Sequence, residues 1–269
     1  MTSYAMAGRR PLIAWLIAGY AFLYAPIAFL ITLSFNASSL VTAWAGFSTR
    51  WYVTLAHDQA LIGAALLSLR IAAASATLAL IVGMLAGYAL ARFGAFRLRP
   101  VFTAAVAAPL VLPEVITGLS LLLMFVASEQ AIGWPSQRGA TTVTLAHASV
   151  SVAYVAVVVR ARLADAGTIL EEAAADLYAP PWRCFALITL PLLAPALVSG
   201  WLLSFTLSLD DVVVASFTSG PGASTLPMVV FSDLRLGPTP ELYALASVIV
   251  ALVALLLLAV GVVQRRPLK

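Results

Sequence analysis

The sequence is poor in the residues on which many soluble enzymes depend, since it has one cysteine, two histidines and a single lysine. The lysine is the terminal Lys269, so the chain lacks a Gly-Lys-Ser/Thr phosphate-binding loop, and hydrolysis of ATP by that route is excluded. Cys184 alone excludes an internal disulfide and a cysteine metal cluster. His57 and His147 lie in different segments, and neither has another possible metal ligand at a suitable spacing in the sequence. We therefore predict no catalytic residue and no metal site, and interpret both histidines as ordinary interface residues.

Charged residues are scarce as well, and this scarcity sets the class of protein. Only 10% of the 269 residues are charged, 62% are hydrophobic, and the mean hydropathy is +1.03. These values lie far outside the range of a water-soluble domain. The sequence therefore predicts a polytopic membrane protein.

Long apolar runs predict how the chain crosses the membrane. A hydrocarbon core about 30 Å thick requires roughly 20 helical residues. The alternation of apolar and polar residues that is typical of membrane barrels is absent, and lipid requires every backbone group to be paired within the segment. We therefore predict an all-α fold in one transmembrane domain covering residues 1–269, with six spans near 12–33, 62–91, 101–127, 141–161, 196–219 and 241–263.

Basic residues predict the orientation, because cytoplasmic loops retain positive charge. If the spans alternate, most of the arginines and the lysine fall on one side, and only Arg50, Arg138 and Arg235 fall on the other. Both termini are therefore predicted to be cytoplasmic. The first span, which follows Arg9 and Arg10, is too long for a signal peptide and is interpreted as a retained anchor. Scattered basic residues of this kind predict no nucleic-acid partner.

Small residues and prolines indicate how the spans pack and bend. Gly83 and Gly87 are four residues apart in the second span, which permits close contact between helices. Pro109, Pro113 and Pro191 lie in or near spans, where proline frees backbone carbonyls and kinks a helix. Helices interrupted in this way often border the pathway of a transporter.

The segment 162–195 is an acidic, proline-broken insert between apolar spans. Thr168 followed by Glu171 has the spacing of a capping box, which predicts a short amphipathic helix beginning at Ile169. The run Ala179-Pro180-Pro181 ends that helix. A second helix is predicted over 182–188, with membrane re-entry at 190–191. From periodicity alone, a solvated loop between two spans remains the alternative for this segment.

The same segment resembles the EAA signature loop of ABC-importer permease subunits, through Glu172-Ala173-Ala174 followed by Ile188-x-Leu190-Pro191. In that family the loop forms a coupling helix that docks in a groove of a cytoplasmic ATPase. The resemblance implies a type I ABC-importer permease fold in the bacterial inner membrane. It also implies a second, paralogous permease subunit, two ATPase subunits that hold ATP and magnesium, and a periplasmic substrate-binding protein. The residues assigned to ATPase coupling are Glu171, Glu172, Ala173, Ala174, Asp176, Leu177, Tyr178, Ile188, Leu190 and Pro191.

One residue departs from the family pattern. Tyr178 stands where the family has glycine, at a helix end for which a left-handed backbone is suited. A tyrosine held in that conformation would cost about 1–2 kcal/mol. Either the run Ala179-Pro180-Pro181 provides the turn instead, or coupling is altered in this chain.

Two further stretches are similar to the putrescine and spermidine branch of these permeases. They are residues 199–228, which include Asp210-Asp211 and Thr225-Leu226-Pro227-Met228, and residues 112–118. The resemblance implies that the cargo is a small organic cation, with putrescine or spermidine the substrate expected. A secondary transporter or channel that operates without an ATPase is the alternative.

Acidic residues within spans predict the pathway. A carboxylate at mid-span costs about 2.5–3.5 kcal/mol, so such residues require water, protein or a cation beside them. Glu114 and Asp210 are both predicted about 20 Å from the cytoplasmic edge, from a rise of about 1.5 Å per residue. We expect Asp211 to line the pathway and Asp210 to have a structural or gating role. Alternatively, both aspartates lie at the outer interface or pair with Arg70. The pathway candidates are Glu114, Asp210, Asp211, Ser208 and Trp201.

Overall fold

The computed structural model describes residues 9–39 and 43–264, and these residues contain helices and no β-strand. In chain order the α-helices are α1 Arg9–Ser34, α2 Arg50–His57, α3 Gln59–Arg92, α4 Arg99–Val111, α5 Glu114–Ile132, α6 Ala140–Ala166, α7 Ile169–Asp176, α8 Pro181–Cys184, α9 Leu190–Asp210, α10 Val213–Thr218, α11 Leu226–Leu236 and α12 Pro240–Gln264. A π-helical turn, Phe185–Thr189, joins α8 to α9.

The all-α membrane fold is confirmed. Five helices within the described ranges are long and apolar enough to cross a bilayer, and Arg99–Val111 and Pro240–Leu252 are shorter apolar stretches. The predicted orientation of the termini stays a prediction. Three of the basic residues that it uses, Arg265, Arg266 and Lys269, lie outside the described residues.

The chain divides into two compact units, and the prediction of one domain stays a prediction. The first unit comprises residues 1–62 and 232–269. In it, α1 and α2 pack against α12. The Tyr52 hydroxyl lies 2.6 Å from the Ser34 Oγ and 2.8 Å from the Ser247 Oγ, so one phenol joins three helices. Phe47 precedes α2 and stacks on Phe35 with ring centroids 5.1 Å apart.

The second unit, Gly63–Phe231, has its core between α3, α6 and α9. A Cβ added at Gly83 would lie 2.6 Å from the Val155 Cβ, and one added at Gly87 would lie 2.7 Å from the Ala156 carbonyl oxygen. These distances are too short for any side chain. The predicted close contact at the two glycines is therefore observed, and its partner is α6.

Proline divides the predicted third span, 101–127, into two helices. Helix α4 ends at Val111, and α5 begins at Glu114 after Pro113. Leu112 is extended, with ψ of 138°, because a proline ring displaces the preceding residue from helical geometry. The predicted fifth span, 196–219, is interrupted as well, since α9 ends at Asp210 and the short helix α10 follows.

Candidate functional site

Helix α7 begins at Ile169, as its sequence predicts, but the capping-box hydrogen bond is not formed. Thr168 makes no side-chain cap, and Glu171 has other partners. Its Oε2 lies 2.6 Å from the Arg92 Nε, and its Oε1 accepts a hydrogen bond of 2.8 Å from the Thr189 hydroxyl. A charge-assisted pair with arginine is stronger than a neutral cap, so Glu171 turns toward Arg92.

The end of α7 has the hydrogen-bond pattern of a Schellman motif. The Ala179 N–H donates to the Ala174 carbonyl at 3.0 Å, and the Tyr178 N–H donates to the Ala175 carbonyl at 2.9 Å. This pattern requires a left-handed backbone at the first residue after the helix cap, which is Tyr178 here. Tyr178 has φ of +56° and is the non-glycine residue with positive φ in the described part of the chain. The tyrosine itself therefore makes the turn, so the alternative in which the proline run provides it is wrong, and altered coupling stays a prediction.

The second helix of the segment differs from its predicted range of 182–188. Helix α8 and the π-helical turn continue directly into α9, with no interruption at Leu190-Pro191. Residues Pro181–Asp210 thus form a continuous helical stretch of 30 residues. At a rise of about 1.5 Å per residue, this stretch is about 45 Å long. It connects the segment 162–195 to the predicted pathway.

The residues assigned to coupling differ in exposure. Ala174 is buried, and Glu171 and Ile188 are partly buried. The other assigned residues are exposed: Glu172, Ala173, Asp176, Leu177, Tyr178, Leu190 and Pro191. Five large apolar side chains of this segment are more than half exposed, and we call them the apolar docking face, defined as Ile169, Leu170, Leu177, Trp182 and Leu187. A cluster of large exposed apolar side chains on one segment is a candidate interaction surface.

A second site is a cavity of about 360 Å³ between the start of α5, the middle of α6, the end of α9 and the start of α10. We call it the acidic cavity. Four of the five predicted pathway residues line it, namely Glu114, Ser208, Asp210 and Asp211, together with His147, Ser151, Tyr154 and several valines. Trp201 is not among the lining residues. Its indole N–H donates to the Thr77 hydroxyl at 3.1 Å, and its ring stacks on Phe205 at 5.1 Å.

The two adjacent aspartates have different environments. Asp211 follows α9 and accepts hydrogen bonds from the backbone N–H groups of Val214 (3.3 Å) and Ala215 (2.7 Å), so it caps α10. Its Oδ2 also lies 3.0 Å from the His147 Nε2, which makes His147 its partner in place of Arg70. Asp210 is exposed, and no hydrogen bond or ion pair of its carboxylate occurs within the described ranges.

His147 was interpreted from sequence as an ordinary interface residue, and this interpretation is wrong. Its side chain is 4% exposed, and its Nδ1 lies 2.6 Å from the Ser208 hydroxyl, a residue 61 positions later. The Ser75 hydroxyl in turn donates to the Ser208 Oγ at 3.1 Å. Helices α3, α6 and α9 are thus joined to Asp211 by one buried polar chain. A histidine within an apolar helix was a signal for such a site.

Glu114 stands at the first turn of α5, where the helix dipole favours a negative charge. Its carboxylate is exposed and forms no ion pair within the described residues. The close approach of α5 and α10 holds this helix end beside the cavity. A Cβ added at Gly118 would lie 2.6 Å from the Phe217 ring, so no larger residue fits there.

Comparison with known proteins gives a consistent result. Residues 79–266 match the family described as binding-protein-dependent transport system inner membrane component. The putrescine transport system permease protein PotI of Escherichia coli (strain K12) is 56% identical over 240 residues, which cover 89% of this chain and 85% of that protein. The spermidine/putrescine transport system permease protein PotC of Haemophilus influenzae is 40% identical over 253 residues, covering 94% of this chain and 96% of that protein.

The fold has a counterpart among solved structures. A chain from a bacterial ABC transporter involved in the import of the acidic polysaccharide alginate superimposes with a TM-score of 0.70, covering 99% of this chain and 98% of that chain. Sequence identity between the two is 16%. At this identity the likeness shows the fold alone.

Proposed function

This chain belongs to the family of inner membrane components of binding-protein-dependent transport systems, and we propose that it moves putrescine or spermidine into the cytoplasm. The observation that carries the proposal is the acidic cavity, lined by Glu114 and Asp210, whose carboxylates form no ion pair with any described residue. PotI and PotC are named as permeases for putrescine and for spermidine/putrescine, and the positive charge of these amines matches the acidic cavity. The work of the chain is translocation, with no covalent chemistry.

Electrostatics favours a dication in such a cavity. An unpaired carboxylate within apolar surroundings is costly, and a compensating cation lowers that cost. A linear diamine has two positive charges separated by an apolar stem, so it can engage two carboxylates in succession. The apolar part of the lining, which includes Val150, Leu207 and Val213, suits the stem.

The geometry suggests distinct roles for the pathway residues. We assign cation contact to Asp210 and Glu114, because both line the cavity and neither carboxylate is paired within the described part of the chain. Asp211 and Ser208 stabilise the cavity wall through His147, which reverses the roles expected for the two aspartates. Trp201 is left out of the cation site, since it does not line the cavity and its ring stacks on Phe205.

Energy for transport would come from a separate ATPase through the segment 162–195. The apolar docking face would bind this ATPase. The partners would be two cytoplasmic ATPase subunits, and these subunits would hold ATP and magnesium. The helical stretch Pro181–Asp210 would transmit movement at this face to the cavity at its other end. A second permease subunit and a periplasmic binding protein complete the transporter in the bacterial inner membrane.

The test is uptake of labelled putrescine by the assembled transporter. Asp210→Asn and Glu114→Gln should each lower uptake roughly tenfold, because each removes a charge that contacts the cation. Glu129→Gln is the matched control, since Glu129 is an exposed acid on the same helix α5 and does not line the cavity. Normal uptake by both cavity variants, with normal assembly, would end the pathway proposal. Gradient-driven uptake by the purified chain without an ATPase would contradict the coupling mechanism.

A further inference from the structure

We propose that Arg92, Glu171 and Thr189 form a clamp that fixes α7 to the ends of α3, α6 and α9, and that this clamp is required to convert ATP hydrolysis into transport. The proposal rests on the proposed function and changes one assignment within it. Glu171 becomes an internal positioning residue in place of an ATPase contact.

Arg92 is the centre of the clamp. It is the last residue of α3, and its guanidinium reaches three groups at once. Besides the 2.6 Å ion pair to Glu171, its Nη1 donates to the Leu163 carbonyl at 3.2 Å, and its Nη2 donates to the Gly167 carbonyl at 2.6 Å. These carbonyls belong to the last turn of α6 and to the residue after it, so Arg92 also satisfies backbone acceptors that a helix end leaves unpaired. Only a planar guanidinium has donors for all three directions.

Glu171 extends the clamp to the helix that enters the membrane. Its second oxygen accepts the hydrogen bond from Thr189, which is 1% exposed and lies in the π-helical turn. Tyr88 of α3 packs edge-on against Phe185 of the same turn, with ring centroids 5.3 Å apart. The clamp therefore lies over an aromatic contact, and the side chains of Arg92 and Glu171 are only 12% and 17% exposed.

Helix α7 needs such an attachment because its own packing is weak. It has eight residues, and Ala174 is its buried residue. The neighbouring carboxylate, Glu172, is exposed, because successive helical residues point about 100° apart. Two adjacent acids therefore have different environments, one inside the protein and one available to a partner. Without the clamp, a force applied to the part of the docking face that α7 carries would rotate α7 alone, and the helix Pro181–Asp210 would receive only the force applied at Trp182 and Leu187.

The experiment compares transport with hydrolysis in the same assembled complex. Glu171→Gln preserves side-chain shape and the acceptor for Thr189 but removes the charge. Arg92→Lys preserves the charge but removes the planar donor fork. We expect both variants to hydrolyse ATP at nearly the wild-type rate and to lower putrescine uptake per ATP hydrolysed by roughly fivefold. Asp165→Asn, an exposed acid near the end of α6, is the matched control and should leave the ratio unchanged.

Other outcomes overturn the clamp. An unchanged ratio in both variants does so, and a lower yield of complexes with a normal ratio assigns the residues to stability alone. If the Glu171→Gln complex no longer retains the ATPase, Glu171 is a direct contact with the ATPase and not an internal positioning residue. If the wild-type complex does not transport putrescine, the proposed function fails. The clamp is then tested separately, by measuring amide hydrogen exchange across α7 in the isolated full-length chain. There, Glu171→Gln should accelerate exchange across α7, and unchanged exchange would contradict the clamp.

Discussion

Replacement of Tyr178 by glycine tests how the end of α7 is built. Tyr178 holds φ of +56°, a conformation that costs a non-glycine residue about 1–2 kcal/mol. Glycine avoids this cost but loses more freedom on folding, by about 0.5–1 kcal/mol. The tyrosine side chain is 96% exposed, so its removal forfeits almost no buried surface. The balance favours glycine by up to about 1.5 kcal/mol, which corresponds to at most roughly a tenfold change in the population of the ordered helix end.

The assay is ATPase activity of the reconstituted complex, stimulated by the binding protein and putrescine. We expect Tyr178→Gly to leave stimulation unchanged or to raise it. Tyr178→Ala is the control, because alanine removes the ring and retains the Cβ that creates the strain. Amide hydrogen exchange across α7 should slow in the glycine variant and stay unchanged in the alanine variant.

Two results would refute this reasoning. A marked loss of stimulation in both variants would show that the tyrosine ring is an adapted contact with the ATPase. A loss in Tyr178→Gly alone, with faster exchange across α7, would show that the left-handed tyrosine imposes no cost and that glycine only loosens the helix end.

Three further predictions concern packing, capping and docking. Gly83→Ala should destabilise the chain in detergent by about 1–3 kcal/mol through overpacking against α6, whereas Gly63→Ala, with no atom within 4 Å of the new Cβ, should not; equal melting temperatures would contradict this. Asp211→Ala should cost about 1–3 kcal/mol, since it removes the α10 cap and leaves His147 without a charged partner, and an equally stable variant would refute the capping role. Trp182→Glu should abolish co-purification of the ATPase without changing the melting temperature, because the side chain is 66% exposed; undiminished ATPase recovery would argue against the docking face.

Local features of the fold were predictable from sequence because they depend on neighbours in the chain. The start of α7 at Ile169, the end before Pro180, and the close packing at Gly83 and Gly87 each follow from a short pattern. The division of the third span at Pro113 could have been predicted in the same way, since proline restricts the residue before it. Hydropathy alone predicts one continuous span, 101–127, across that proline.

The candidate site was predictable in its residue types but less so in its contacts. Glu114, Asp210 and Asp211 were identified from the cost of burying charge, and the cavity brings them together. The role of each aspartate was not predictable, because it depends on which carboxylate meets His147 from another helix. The sequence predicts that Asp211 lines the pathway but does not reveal that backbone N–H groups and an imidazole contact its carboxylate.

The sequence by itself determined that this chain is an all-α membrane protein, that it has no phosphate-binding loop, and that segment 162–195 departs from the apolar spans. These conclusions depend on composition and on patterns a few residues long. The tertiary structure decided that Glu171 turns to Arg92, that His147 supports Asp211, and that Trp201 lies away from the cavity. Each of these contacts joins side chains far apart in the chain, such as the 61 positions between His147 and Ser208. Their pairing is fixed only when helices pack, since a side chain's direction along its own helix does not specify which neighbour it meets.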